Sequence, residues 1–469
     1  MRTRDWGLND RDIGTGDWGL GQGGNRERGT GNRAASSKPL FPVPGSQQPP
    51  SPQSRVPHQS PVAGPQSPVT RRRFVASAVA APFVLRFAGR RLAADHVVVI
   101  GAGAFGGWTA LTLLRAGMRV TLVDAWGAGN SRASSGGETR VIRTVYNGNA
   151  LYSQMAARAF TLWREAEQQW KRQVLFHTGA LWMCETDDSY VRRSIEPMKA
   201  VGLSVEEMTP SEAARRYPQM GFRDVRTAFF EPEAGYLTAR VACELVRETV
   251  VREGGTYKQA SVRPATGTGG RLTRVTLADG GTLDADAFVF ACGPWMGKLF
   301  PDVVGRRIVA TRQEVFFFGT PAGDTRFDSG TLPVWVHVGE RLVYGIPNHE
   351  RRGLKLADDT AGPEVDPTTQ QRVPSTEGIA RARTFVANRF PALADAPIVE
   401  ARVCQYEAST DGNYLVDRHP QLENVWLLGG GSGHGFKMGP AFGEHAAAVI
   451  QGRAAVNPLF AYARLKPRP

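Results

Sequence analysis

His96-Val-Val-Val-Ile100-Gly101-Ala-Gly103-Ala-Phe-Gly106 is the stretch from which the rest of the chain is best read. The short run of β-branched residues reads as a buried strand. A G-x-G-x-x-G turn follows, then a helical apolar pattern over 107–116, then a second strand over 119–123 that ends in Asp124. Each glycine has a physical task. Gly101 permits the tight turn, Gly103 lets the backbone approach a pyrophosphate, and Gly106 allows close helix–strand packing. The helix N-terminus offers free N–H groups to the phosphates. Asp124, 23 residues after Gly101, is placed to accept ribose hydroxyls. Strand, turn, helix and acid together describe a dinucleotide-binding unit. An earlier match to the same spacing, Gly19 to Gly24, has neither strand nor helix around it and carries no such signal. The motif does not by itself choose between FAD and NAD.

What lies downstream does. A nicotinamide enzyme continues in regular βαβ units, whereas here Asp124 is followed by Ser134-Ser135-Gly136-Gly137-Glu138-Thr139-Arg140-Val-Ile-Arg143. Arg140 and Arg143 stand three apart, one face of an expected helical turn. Helices are expected over 151–171, 238–252, 376–390 and 441–450, between β-rich stretches at 256–291 and 307–346. A last strand, Val425 to Leu428, enters Gly429-Gly-Gly-Ser-Gly433-His434-Gly435-Phe-Lys437. A glycine-rich turn before a helix brings backbone donors and a dipole to an anionic ring or carboxylate. His434 is expected to pack within that turn.

Composition bounds the remaining classes. Of 469 residues, 41% are hydrophobic and 22% charged, as in a folded globular chain. No apolar run approaches the ~20 residues of a membrane span. The four cysteines have no metal-ligand spacing, and they are too sparse for a disulfide scaffold. No metal site is expected. The net charge is +13, but residues 1–94 supply +9 of it and the body is nearly neutral, so nucleic-acid binding is disfavoured. Residues 1–70 hold 11 Gly and 10 Pro and read as a disordered tail. Within 70–94, Arg71-Arg72 precede a short apolar segment, which resembles a twin-arginine export signal. Export to the periplasm or medium is the expectation, and a cytoplasmic protein the alternative.

Five motifs in order carry a family resemblance: Gly137-Glu-Thr-Arg-Val-Ile-Arg143, Tyr344-Gly-Ile-Pro, Gly353-Leu-Lys355-Leu, Val403-Cys404-Gln-Tyr406 and Gly433-His-Gly-Phe-Lys437. Over roughly residues 95–450 the sequence resembles the monomeric sarcosine oxidase and N-methyl amino acid oxidase branch of the D-amino-acid-oxidase-like flavoproteins. The resemblance implies an α/β (α+β overall) fold: a Rossmann-type FAD-binding domain from 95–150, 230–300 and 395–455, and an antiparallel-sheet substrate domain from 151–229 and 301–394. It implies FAD, linked covalently through Cys404. Lys355 is expected to promote reaction with oxygen, and Arg143 and Lys437 to hold a substrate carboxylate. Tyr344 and Tyr406 fall on active-site tyrosines, and Arg140 on a flavin-proximal arginine. With Gly101, Gly103, Gly106, Asp124, Gly433 and Gly435 at the cofactor, the implied activity is oxidation of an amine or amino acid with O2, releasing H2O2, by a monomer. A dehydrogenase using another acceptor and a non-catalytic flavin-binding subunit are the competing readings. Two positions depart from the family, which usually has histidines where this chain has Gly136 and Asp359. Glycine is expected to open space at the substrate site, and aspartate to repel a carboxylate or recruit a more basic amine.

Overall fold

The computed structural model describes residues 95–264 and 270–468; the tail and the export signal expected from the sequence lie outside them. The initial strand, His96–Ile100, is buried and lies inside a six-stranded sheet. Across that sheet the order is Leu415–His419, Leu422–Gly429, Ala287–Phe290, His96–Ile100, Arg119–Asp124, Thr256–Gln259. All neighbours are parallel except the first two, which form an antiparallel pair at one edge. Because Ala287–Phe290 lies on one side of His96–Ile100 and Arg119–Asp124 on the other, the first helix starts at the switch point of the strand order. That is where doubly wound sheets open a crevice for a dinucleotide. Gly101 turns the chain there at φ +108°, and a Cβ on it would come within 2.2 Å of the Ala291 carbonyl oxygen.

The helix Ala104–Arg115 is buried almost throughout its first two turns, and Gly439–Ile450 packs on it. Phe105 stacks on Phe442 with centroids 3.6 Å apart, and Trp108 meets Trp163 of the long helix Ala150–Trp170 edge-on at 5.2 Å. These aromatic contacts join three helices from separate stretches of the chain into one core.

The second large sheet has eight strands in the order Ile398–Ser409, Ile308–Phe318, Leu354–Asp358, Leu342–Ile346, Val334–Val338, Ala180–Cys184, Thr227–Glu231, Glu206–Met208. It is antiparallel apart from the pairing of Val334–Val338 with Ala180–Cys184. Ile398–Ser409 therefore belongs by its hydrogen bonds to this sheet, although its sequence position put it with the dinucleotide-binding segment 395–455. A small sheet of Thr139–Ile142, Gly235–Thr238 and Leu175–His177 completes the frame beside the candidate site. No helix among the described residues is long and apolar enough to cross a membrane.

Candidate active site

Thr139–Ile142 is a strand, antiparallel to Gly235–Thr238, and not the helical turn expected for Arg140 and Arg143. The β-branched Thr139, Val141 and Ile142 favour extended backbone, and pairing with Gly235–Thr238 decides it. Three residues along a strand reverse the side-chain direction, so the two arginines do not share a face. Arg143 comes just past the strand end, where Thr144 N–H donates to Glu231 Oε1 at 2.5 Å. Both arginines nevertheless line one small cavity of about 50 Å³, together with Trp182, Tyr344, Asp359, Gly433, His434 and Lys437.

Arg143 is held between aromatic faces, its guanidinium carbon 4.7 Å from the Tyr146 ring and 5.2 Å from Trp182. Lys437 approaches Tyr146 from elsewhere: its Nζ lies 5.5 Å from the ring and donates to the hydroxyl at 3.1 Å and to the His434 carbonyl at 3.0 Å. Burial first, and then Arg143, push Lys437 well below the usual lysine range. His434 is locked by Tyr414 Oη at 2.7 Å and the Gly412 carbonyl at 3.0 Å, and burial pushes it down to about 3, so it is neutral. Asp359 accepts from the Tyr406 hydroxyl at 2.6 Å. Burial raises its carboxyl, while Tyr406, Arg143 and Lys437 pull the other way. An acidic side chain thus shares the cavity with Arg143 and Lys437.

Gly136 behaves differently from expectation. It is buried, and a Cβ there would meet the Asn130 carbonyl oxygen at 1.7 Å, so the glycine is filled by main chain rather than opening the substrate cavity.

Lys355 and Cys404 do not line this small cavity; Arg140 connects them. Lys355 Nζ donates to the Thr139 carbonyl at 2.7 Å, and Arg140 Nη1 donates to the same oxygen at 2.8 Å. Arg140 Nη2 lies 3.7 Å from Cys404 Sγ. Cys404 and Tyr406 share one face of the strand Ile398–Ser409, two residues apart.

A second cavity of about 410 Å³ runs from Gly101 and Gly103 past Asp124, Cys292 and Arg140 to Tyr406, Gly433 and Gly435. Its chemistry fits FAD. One end is a helix N-terminus with no side-chain cap, which leaves N–H donors for phosphate. Asp124 is already engaged there: Oδ1 accepts from Trp126 and Gly127 N–H at 2.9 Å, and Oδ2 from Ala102 N–H at 2.8 Å. Only Oδ2 keeps a free lone pair for a ribose hydroxyl. Gly106 does not line the cavity; it seats the helix against the Gly101 carbonyl. At the other end Glu407, only 6% exposed, has an Oε1 with no partner, a residue that reading by motif passed over. Alternation along its strand suggests only a solvated acid, and no sequence signal distinguishes it.

Comparison with known proteins gives the same answer. The family model described as "FAD dependent oxidoreductase" (DAO) matches residues 96–449. Monomeric sarcosine oxidase of Bacillus sp. (strain B-0618) is 28% identical over 354 residues, 74% of this chain and 90% of that protein. N-methyl-L-tryptophan oxidase of Yersinia pestis (strain Pestoides F) is 25% identical over 362 residues, 76% of this chain and 94% of that one. Among solved structures, L-proline dehydrogenase from P. horikoshii superposes with a TM-score of 0.69 at 22% identity, covering 79% of this chain and 97% of that one, a likeness of fold. With the dinucleotide crevice, the antiparallel sheet beside it and a match over most of its length, the chain belongs to the family of FAD-dependent oxidoreductases.

Proposed function

We propose that the protein oxidises the C–N bond of a small amino acid, secondary amines first, giving an imine that water hydrolyses, with O2 as acceptor and H2O2 as product. The observation that carries this reading is Tyr146 flanked by Arg143 and Lys437, two basic side chains from distant stretches of the sequence that bear on one cavity. Bound FAD would supply the two-electron acceptor for the hydride on the carbon next to nitrogen. The chain's residues supply the rest. Arg143 has a planar guanidinium suited to a bidentate carboxylate grip, and Lys437 regains its proton as that negative charge arrives. Asp359, held by Tyr406, offers an acceptor to the amine end. Trp182 and Tyr344 close the cavity walls and keep water from the reacting carbon. The relatives named above are oxidases of sarcosine and of N-methyl-tryptophan, which supports the secondary-amine class.

Cys404 is proposed as the covalent anchor of the cofactor, supported by its position behind Arg140 on the strand that also carries Tyr406. The deciding experiment on the reaction is to purify the yellow protein and offer N-methyl, cyclic and primary amino acids and their uncharged amine counterparts. Peroxide release that needs the carboxylate is expected. Equal turnover of an amino acid and its decarboxylated amine refutes the role given to Arg143 and Lys437.

A further inference from the structure

Glu407 lies on the opposite face of its strand from Cys404 and Tyr406 and on the wall of the larger cavity. Its main-chain carbonyl takes the Ser432 N–H at 2.8 Å, which seats it against the glycine-rich turn. The side chain lies across Gly429, where a Cβ would meet Oε1 at 2.3 Å, so the glycine leaves the carboxyl its room. The Gly430 and Gly431 N–H groups act on this carboxyl, yet Oε1 has no partner and no cation among the described residues pairs with it. A buried acceptor without a donor is costly to keep, and the space it faces is the one that fits FAD.

We propose that Glu407 is a cofactor-contacting residue, presenting Oε1 to the bound flavin cofactor as a hydrogen-bond partner from the cavity wall. The inference rests on the FAD reading above. The groups on FAD that suit an acceptor are the ribityl hydroxyls and the ring N–H; a protonated carboxyl also suits the ring carbonyls. Burial pushes Glu407 up to about 8, so it is uncharged at neutral pH and ionises in mildly alkaline solution. The titratable group that senses it is the Cys292 thiol, which is raised first by burial, then by Asp124 and then by Glu407 itself; Asp124, Arg140, Lys298 and Tyr406 line the same cavity. Neither Arg140 nor Lys298 pairs with Glu407, so no ion pair offsets a new negative charge on it. An ionised Glu407 therefore disfavours added electrons in the cavity.

The test uses the flavin-loaded enzyme and reads its midpoint potential and its infrared spectrum from neutral to alkaline pH. In the wild type, the potential is expected to fall more steeply once Glu407 ionises, near about 8. A carboxylic-acid infrared band should disappear over the same range and shift when the flavin is reduced. Glu407→Gln, nearly isosteric, should lack both the break and the band. Loss of flavin uptake by a Glu407→Gln protein with a native circular-dichroism spectrum also supports the contact. Superimposable potential curves, or a wild-type band that ignores flavin reduction, overturn it; the second reading needs no variant to fold. A wild type that takes up no flavin defeats the cofactor reading and this inference with it, whereas failure with flavin on board sinks Glu407 alone.

Discussion

Replacing Lys355 by Met should damage the reaction with oxygen and leave the reaction with substrate nearly intact. Lys355 is 2% exposed on the strand Leu354–Asp358, with Nζ on the Thr139 carbonyl at 2.7 Å and 5.9 Å from the Tyr344 ring. Transfer of the first electron to oxygen makes an anion, and a preorganised ammonium stabilises that charge as it develops. A unit charge about 5 Å away, at an effective dielectric of about 20, contributes about 3 kcal/mol. At about 1.4 kcal/mol per decade, its loss slows the oxygen reaction on the order of a hundredfold. The substrate half-reaction draws on Arg143 and Lys437, which the substitution does not touch, so it should change by no more than about threefold. Folding should survive as well, because the Thr139 carbonyl keeps the Arg140 donor at 2.8 Å. The pH dependence adds a second reading. Burial, and then Arg140, hold Lys355 well below the usual lysine range, so its charge is present at lower pH and lost as pH rises through that lowered value. The wild-type oxygen rate should fall with rising pH, and that of Lys355→Met should stay flat. Anaerobic stopped-flow measures bleaching of the yellow colour by substrate, and mixing the reduced protein with oxygenated buffer measures its return. Equal losses in the two half-reactions, or identical pH profiles in the two proteins, would show that Lys355 only props up Thr139.

The carboxylate grip predicts that Arg143→Met raises KM for an amino acid about ten- to a hundredfold, the value of one charge-assisted hydrogen bond; initial rates over a substrate series check it, and an unchanged KM refutes it. Because Lys437 is held low by burial and by Arg143, its protonation accompanies carboxylate binding. Wild-type KM should therefore climb as pH rises, and Lys437→Met should remove that slope. Acid-precipitated wild type should keep its yellow colour in the pellet and Cys404→Ala should release it to the supernatant; colour in the wild-type supernatant means that no covalent link exists. Two neighbouring glycines should fail differently. A Cβ at Gly103 meets only Ser135 Oγ at 3.4 Å, whereas one at Gly106 meets the Gly101 carbonyl oxygen at 1.9 Å. Gly103→Ala should keep its thermal stability and lose flavin, while Gly106→Ala should lose both, as differential scanning and the flavin-to-protein absorbance ratio will show.

Much of this molecule is legible along the chain because the relevant physics is local. A strand, a glycine turn, a helix N-terminus and an acid within thirty residues specify the dinucleotide crevice wherever they occur, since each element needs only its neighbours to form. The helices at 151–171, 238–252, 376–390 and 441–450 were readable for the same reason, and they match Ala150–Trp170, Ala239–Arg252, Thr376–Arg389 and Gly439–Ile450 to within two residues at either end. The extended backbone of Thr139–Ile142 was not readable, because a strand is stabilised by a partner, and that partner is Gly235–Thr238, about a hundred residues further on. Nor could spacing tell that main chain fills the volume at Gly136, or that Ile398–Ser409 leaves the dinucleotide segment for the other sheet. The charges were the least visible of all. Lysines at 355 and 437 and acids at 359 and 407 look alike in a sequence; burial, beside Arg140, Arg143 or Tyr406 or with no charged partner, is what gives each a different proton affinity. Motifs reveal which side chains can do the chemistry, and tertiary packing sets their charge, because desolvation and neighbouring charge depend on distance in space and not on distance along the chain.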